Sequence, residues 1–93
     1  MYLDWDTHAP DTFVIDIEAD DLDATVIWCM CTKNVRTGET GEYTNYDDIR
    51  SFFERNQNAL FVGHNLLKFD APTLGRLAGI SLSVNNCIDT LVL

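Results

Sequence analysis

"FVIDIEADDLD", residues 13–23, decides how this chain is read, because a run built for a sheet interior passes straight into five carboxylates: Asp16, Glu18, Asp20, Asp21 and Asp23. Side chains alternate along a strand, so Phe13, Ile15 and Ile17 share one face while Val14, Asp16 and Glu18 share the other. Asp16 and Glu18 then project in parallel, roughly 7 Å apart at their Cα atoms by strand rise. Three chemistries accommodate such acids. The first is a strand with one solvated face. The second is a calcium loop, whose spacing of alternate oxygen ligands Asp16, Glu18 and Asp20 match. That loop needs Gly at its sixth position, where Asp21 stands, and a bidentate Glu at its twelfth, where Ile27 stands. The third is a carboxylate pair at a strand end that holds divalent metals for phosphodiester hydrolysis, since hard cations want clustered oxygens.

Thr12 to Glu18 reads as a first strand and "TVIWCMCT", Thr25 to Thr32, as a second, both rich in β-branched and aromatic residues. Gly38 and Gly41 punctuate the turn that follows, and a short third strand around Glu42 to Thr44 completes a meander. "NYDDIRSFFERNQ" predicts a helix: Asn45 and Asp48 form a capping-box pattern, and Ile49, Phe52 and Phe53 make an apolar face. "ALFVGHN" is a short buried strand ending at Gly63. "DAPTLGRLAGI" supplies Asp70 as N-cap, Pro72 in the first turn, Leu74 and Leu77 on one face and Gly79 as a stop. The order β-β-β-α-β-α predicts an α/β fold, a mixed sheet with three antiparallel strands, a further parallel strand and helices packed on it.

Length and composition narrow the class. At 93 residues the chain has room for one small domain, which buries roughly 60–65% of its unfolded surface. A hydrophobic content of 46% excludes a disordered chain, and no apolar run approaches the ~18 residues of a membrane span. "MYLDWDTHAPD" lacks the basic region and apolar stretch of a signal peptide, so a cytosolic protein without a membrane partner is expected. Cys29, Cys31 and Cys87 are an odd number, two of them within one apolar run, which predicts reduced, buried core thiols rather than a disulfide framework or a zinc site. The net charge is −9, and residues 1–32 hold eight of the fifteen acids and none of the bases. Such a field repels a phosphate backbone and attracts cations, so DNA binding by that surface requires metal ions or a basic partner. The ending "CIDTLVL" is mostly aliphatic: either it packs on the core or the chain continues. An exposed stripe of Ile88, Leu91, Val92 and Leu93 would favour a homodimer.

A second stretch, "VGHNLLKFDAPTL" at residues 62–74, places an Asn, an aromatic residue and an Asp at a helix start. "DIEAD", then "HNLLKFDAPTL" about fifty residues later, then "NCIDTLVL", resembles in content and order the N-terminal part of the 3′→5′ proofreading exonuclease domain of family A replicative DNA polymerases of short-tailed phages. These are DEDD exonucleases with a ribonuclease H-like fold. The resemblance covers residues 12–93 and leaves 1–11 as an N-terminal extension. It implies that Asp16 bridges two metals, that Glu18 holds one and orients the attacking water, and that Asp70 helps hold the second. Asn65 and Phe69 match the polar and aromatic positions that lie near the DNA 3′ end. On the residues alone, Asp70 can equally be no more than an N-cap and Phe69 core. The implied cofactors are two Mg²⁺ or Mn²⁺ ions, and the implied setting is the host cytoplasm of a phage. Asp89 takes a structural or supporting role, and His64 a structural one. The family's third motif, a Tyr or His followed by an Asp, is not among these residues. The expectation is therefore the N-terminal half of such a domain, whether a fragment, a split gene product or a truncation. It would be inactive alone and completed by the missing exonuclease half or a polymerase. The rival is a non-enzymatic acidic binding or regulatory protein that reuses the half-fold to act on a polymerase or nuclease.

Overall fold

In the computed structural model, residues 11–20 and 25–90 are described; Asp21, Asp23, residues 1–10 and residues 91–93 of the expected apolar tail lie outside them. The chain runs through β1 (Thr12–Ala19), β2 (Ile27–Asn34), β3 (Thr40–Tyr43), α1 (Tyr46–Arg55) and β4 (Leu60–Gly63). A widened helical segment follows, built from a π turn (Leu66–Asp70), an α turn (Ala71–Thr73) and a second π turn (Leu74–Ala78). A 3₁₀ turn (Val84–Asn86) leads into β5 (Cys87–Asp89).

The alternation in β1 works as the sequence requires. Phe13, Ile15 and Ile17 are buried and Val14, Asp16 and Glu18 are exposed, so one face of this central strand is core and the other is open. The sheet order is β3-β2-β1-β4-β5. The β1–β2 and β2–β3 pairs are antiparallel, and the β1–β4 and β4–β5 pairs are parallel. This is the expected mixed α/β sheet, compatible with a partial ribonuclease H-like fold. It has one strand more than expected: "CID", read as part of an apolar tail, pairs with β4 as Phe61↔Cys87, Val62↔Ile88 and Gly63↔Asp89.

Helices cover one face. Asn45 caps α1 by accepting from the Asp48 amide at 2.9 Å, while its own amide donates to the Asp48 carboxylate at 2.9 Å. Ile49, Phe52 and Phe53 then face the sheet. Phe52 sits edge-on to Phe13 at 5.0 Å and to Phe53 at 5.1 Å, and Phe53 continues the cluster onto Phe61 at 5.1 Å. Leu66, Leu74 and Ala78 of the second helical segment complete this core. Arg50 ties the two helices together, donating from Nε to the Ala78 carbonyl at 2.8 Å.

Two expectations change at β2. The strand starts at Ile27 rather than Thr25, because Thr25 and Val26 are held in the turn by the Asp20 carboxylate. Cys29 and Cys31 are not core thiols: Cys29 is half-buried and Cys31 exposed, because the alternation that buries Met30 turns both to the face that no helix covers. Cys87 is half-buried and packs against the core. Trp28 is the extra residue of a bulge where Ala19 pairs with Ile27 and Glu18 with Cys29, and it is 60% exposed. Of the expected apolar stripe, Ile88 is 40% exposed on the edge strand β5, and Leu91, Val92 and Leu93 lie outside the described residues. No helix among the described residues is long and apolar enough to cross a membrane.

Candidate metal centre

The acids that open the sequence separate into two roles. Asp20 closes the β1–β2 turn: the Thr25 hydroxyl and the amides of Thr25 (2.9 Å) and Val26 (3.1 Å) all donate to its carboxylate. Those donors, the Thr25 hydroxyl foremost, hold its pKa down at about 2. Asp16 and Glu18 stand instead on the open face, in register with Cys31 and Cys29 respectively.

Asp70 reaches β1 from the other side. The β1–β4 ladder pairs Thr12–Val14 with Leu60–Val62 and stops there, so the later part of β1 runs on beside the turn that leaves β4. Gly63 makes the close passage possible: a Cβ there would lie 3.0 Å from the Ile15 carbonyl oxygen and 3.2 Å from the Leu66 Cβ. The chain then turns through Asn65 in the left-handed region (φ 60°). The buried Asp89 carboxylate of β5 clamps this turn, accepting from the Asn65 amide and the Leu67 amide at 2.9 Å each. These bonds suit the structural or supporting role expected of it from the sequence.

The helix therefore begins at Leu66, and Asp70 is not its N-cap. Its backbone is already helical (φ −64°, ψ −48°) and its side chain makes no cap hydrogen bond. The carboxylate is 4% exposed and receives the Ile17 backbone N–H. Its Oδ2 is buried with no hydrogen-bond partner among the described residues. Burial first, then the charge of Asp16, with Asp89 and Glu18 adding to it, raise the Asp70 pKa to about 7 against the pull of the Ile17 hydrogen bond.

The other named residues frame the same turn. The Asn65 side-chain Oδ1 is buried and likewise lacks a partner among the described residues. Phe69 is half-buried and packs against the core. His64 is exposed, its Nδ1 3.2 Å from the Thr90 hydroxyl.

These carboxylates fit hard divalent cations. A buried carboxylate oxygen without a donor, repelled by Asp16 and Glu18, is stabilised by positive charge, and an all-oxygen donor set suits Mg²⁺ or Mn²⁺. The three do not converge on one point, however. Among the described residues, the one trio whose ligand atoms all lie within 4.8 Å of one another is Cys29, Cys31 and Glu42. The sequence reading missed it, although the Cys-x-Cys spacing was its visible half; the other half is the β2–β3 register that sets Glu42 opposite Cys31.

No protein-family profile matches the sequence, and no curated protein matches it either. Solved structures do. Phi29 DNA polymerase complexed with primer-template DNA, in its post-translocation binary complex, matches with a TM-score of 0.58 and 19% identity over 87% of this chain. Its ternary complex with incoming nucleotide substrates gives 0.56, and its complex with single-stranded DNA 0.58, both again at 19% identity over 87% of this chain. The chain spans 16%, 15% and 16% of those polymerase chains respectively. At this identity the likeness defines a fold: an α/β unit of the kind found within a phage DNA polymerase.

Proposed function

We propose that this chain carries part of a metal-dependent 3′→5′ exodeoxyribonuclease site of the proofreading type, with Asp16, Glu18 and Asp70 as its metal-binding carboxylates. The observation that carries the reading is Asp70: a buried carboxylate with one oxygen unpaired among the described residues, placed against the strand that presents Asp16 and Glu18. A group whose only service was to cap a helix would face the amides at the helix start, and this one does not. The likeness to part of a DNA polymerase supports the reading, as does the motif order that resembles the exonucleases of family A phage polymerases.

In a complete domain, two Mg²⁺ or Mn²⁺ ions would supply charge stabilisation at the scissile phosphate and a water of lowered pKa. The residues of this chain have separate tasks. Asp16 and Glu18 present negative charge from a rigid strand, where both point the same way. Asp70 is held in place by the Ile17 N–H and by a turn that Asp89 clamps. Asn65 and Phe69, in that same turn and the π turn after it, are the residues assigned to the DNA 3′ end. Because the first 32 residues are strongly acidic, bound cations would also relieve the repulsion that keeps a phosphate backbone away.

The test is Mn²⁺ titration of the isotope-labelled chain, followed by paramagnetic broadening of its backbone amides. Broadening is expected to centre on residues 16–18 and 67–71, and to weaken sharply in Asp16→Asn and in Asp70→Asn. Amides at both places that ignore millimolar Mn²⁺ would defeat the nuclease reading and favour an acidic binding module that acts on a polymerase or nuclease.

A further inference from the structure

The open face of the meander holds a second donor set, of a different chemical kind. We propose that Cys29, Cys31 and Glu42 form a binding site for one thiophilic divalent cation of the zinc class, distinct from the hard-cation carboxylates at Asp16, Glu18 and Asp70.

The geometry comes from the sheet. Cys29 and Cys31 are alternate residues of β2, so both thiols leave the same face, and Glu42 of β3 is in register with Cys31. The two sulfurs and a Glu42 carboxylate oxygen all lie within 4.8 Å of one another. Zinc–sulfur bonds of ~2.3 Å and zinc–oxygen bonds of ~2.0–2.2 Å put tetrahedral ligand atoms about 3.4–3.8 Å apart. Side-chain rotations that bring the atoms together by about an ångström would close the site without moving the backbone. Thiolate donors select zinc over magnesium or calcium, and three protein ligands leave a fourth position to water.

Cys31 has a carboxylate in register on each side. Cys31 and Glu42 line an open groove of about 590 Å³ together with Asp16 and Lys33. Asp16 is in register with Cys31, so a second carboxylate stands on the far side of the thiols. A disulfide is the poorer use of this pair. Alternate residues of a strand stand roughly 6.5–7 Å apart at Cα with parallel side chains, at the far limit of what a disulfide spans. All three cysteines are in fact free.

The site is tested on the reduced chain, freed of metal by chelation, with Co²⁺ and Zn²⁺ as probes. Co²⁺ is expected to bind at one ion per chain, with a thiolate charge-transfer band and visible bands of a four-coordinate ion, and Zn²⁺ to displace it. Cys31→Ser should cut the charge-transfer band to that of a single thiolate or less and weaken Zn²⁺ binding by ~100-fold or more, beyond the usual cost of an outer-shell partner. Glu42→Gln should weaken binding while keeping the band. Asp70→Asn should leave the band unchanged, which separates this site from the carboxylate one. The proposal fails if no charge-transfer band forms, if one ion is held by two chains, or if Asp70→Asn removes the band. It also fails if Zn²⁺ raises the melting temperature of Cys31→Ser as much as that of the parent chain.

Discussion

Asp70 is a group whose ordinary ionisation opposes folding. Its pKa in the folded chain is about 7 against a reference of 3.8. Between those values the folded state holds more protons than the unfolded state, so its contribution to stability falls as pH rises through that window and levels off above it. A shift of this size is worth on the order of 4 kcal/mol, at ~1.4 kcal/mol per pKa unit. With metal removed, Asp70→Asn should therefore come close to the parent chain near pH 4 and exceed it by up to about 4 kcal/mol at about pH 8, read from urea denaturation at each pH. A difference that stays flat across this range would show that the carboxylate is not held as described. Millimolar Mn²⁺ at the higher pH should narrow the gap, because the ion stabilises only the parent's ionised form. Asp20 behaves oppositely, its pKa lowered to about 2 by three donors in an exposed turn, and it marks how differently two acids of one short segment are used.

Among the elements, the turn that leaves β4 decides whether Asp70 arrives at β1. Gly63→Ala places a methyl 3.0 Å from the Ile15 carbonyl oxygen, a backbone atom that cannot rotate away. A cost of about 1–3 kcal/mol is expected from the overpacking. The Ile17 amide resonance, which reports its bond to Asp70, should shift as the helix start is pushed outward. An alanine variant with parental stability and an unmoved Ile17 amide would remove Gly63 from this account. What could be read in advance followed the range of the signal. The alternation of β1 and the Asn45–Asp48 cap of α1 are local patterns, and both appear where the sequence puts them. The start of the second helical segment was placed at Asp70 because the Asp-Ala-Pro sequence has the chemistry of a cap. The actual start, Leu66, depends on Asp89, which is distant in sequence and donates nothing to a local pattern. The strand in "CID" was missed for the same reason: three residues carry too little periodicity, and pairing with β4 decides the matter. Asp16, Glu18 and Asp70 were legible as candidates from their motifs. Glu42 was not, since nothing but strand register brings it to the cysteines.

For the molecule as a whole, the sheet divides by the reach of its pairings. β1, β2 and β3 are neighbours in sequence as well as in space, whereas β4 meets β1 only after α1 has intervened, with Phe13 paired to Phe61. Asp16 and Glu18 belong to the local half; Asp70 and Asp89 belong to the other. Units of this kind often open separately below the free energy of global unfolding. In native-state hydrogen exchange without metal, amides of β4, β5 and residues 66–78 should therefore exchange through lower-energy openings than those of the β1–β2 ladder. Added Mn²⁺ should bring the two sets closer together if, as proposed, it binds carboxylates of both halves, since it would then have to be released before they part. Uniform exchange energies in both conditions would refute this division. The short ladder between β1 and β4 then has a meaning in folding time. Local hairpins close in microseconds, and a parallel strand must wait for a long loop to close. The meander would thus stand first as a small sheet with its acids already displayed, and the arrival of β4 and Asp70 would be the late step, sped by any cation already resting on Asp16.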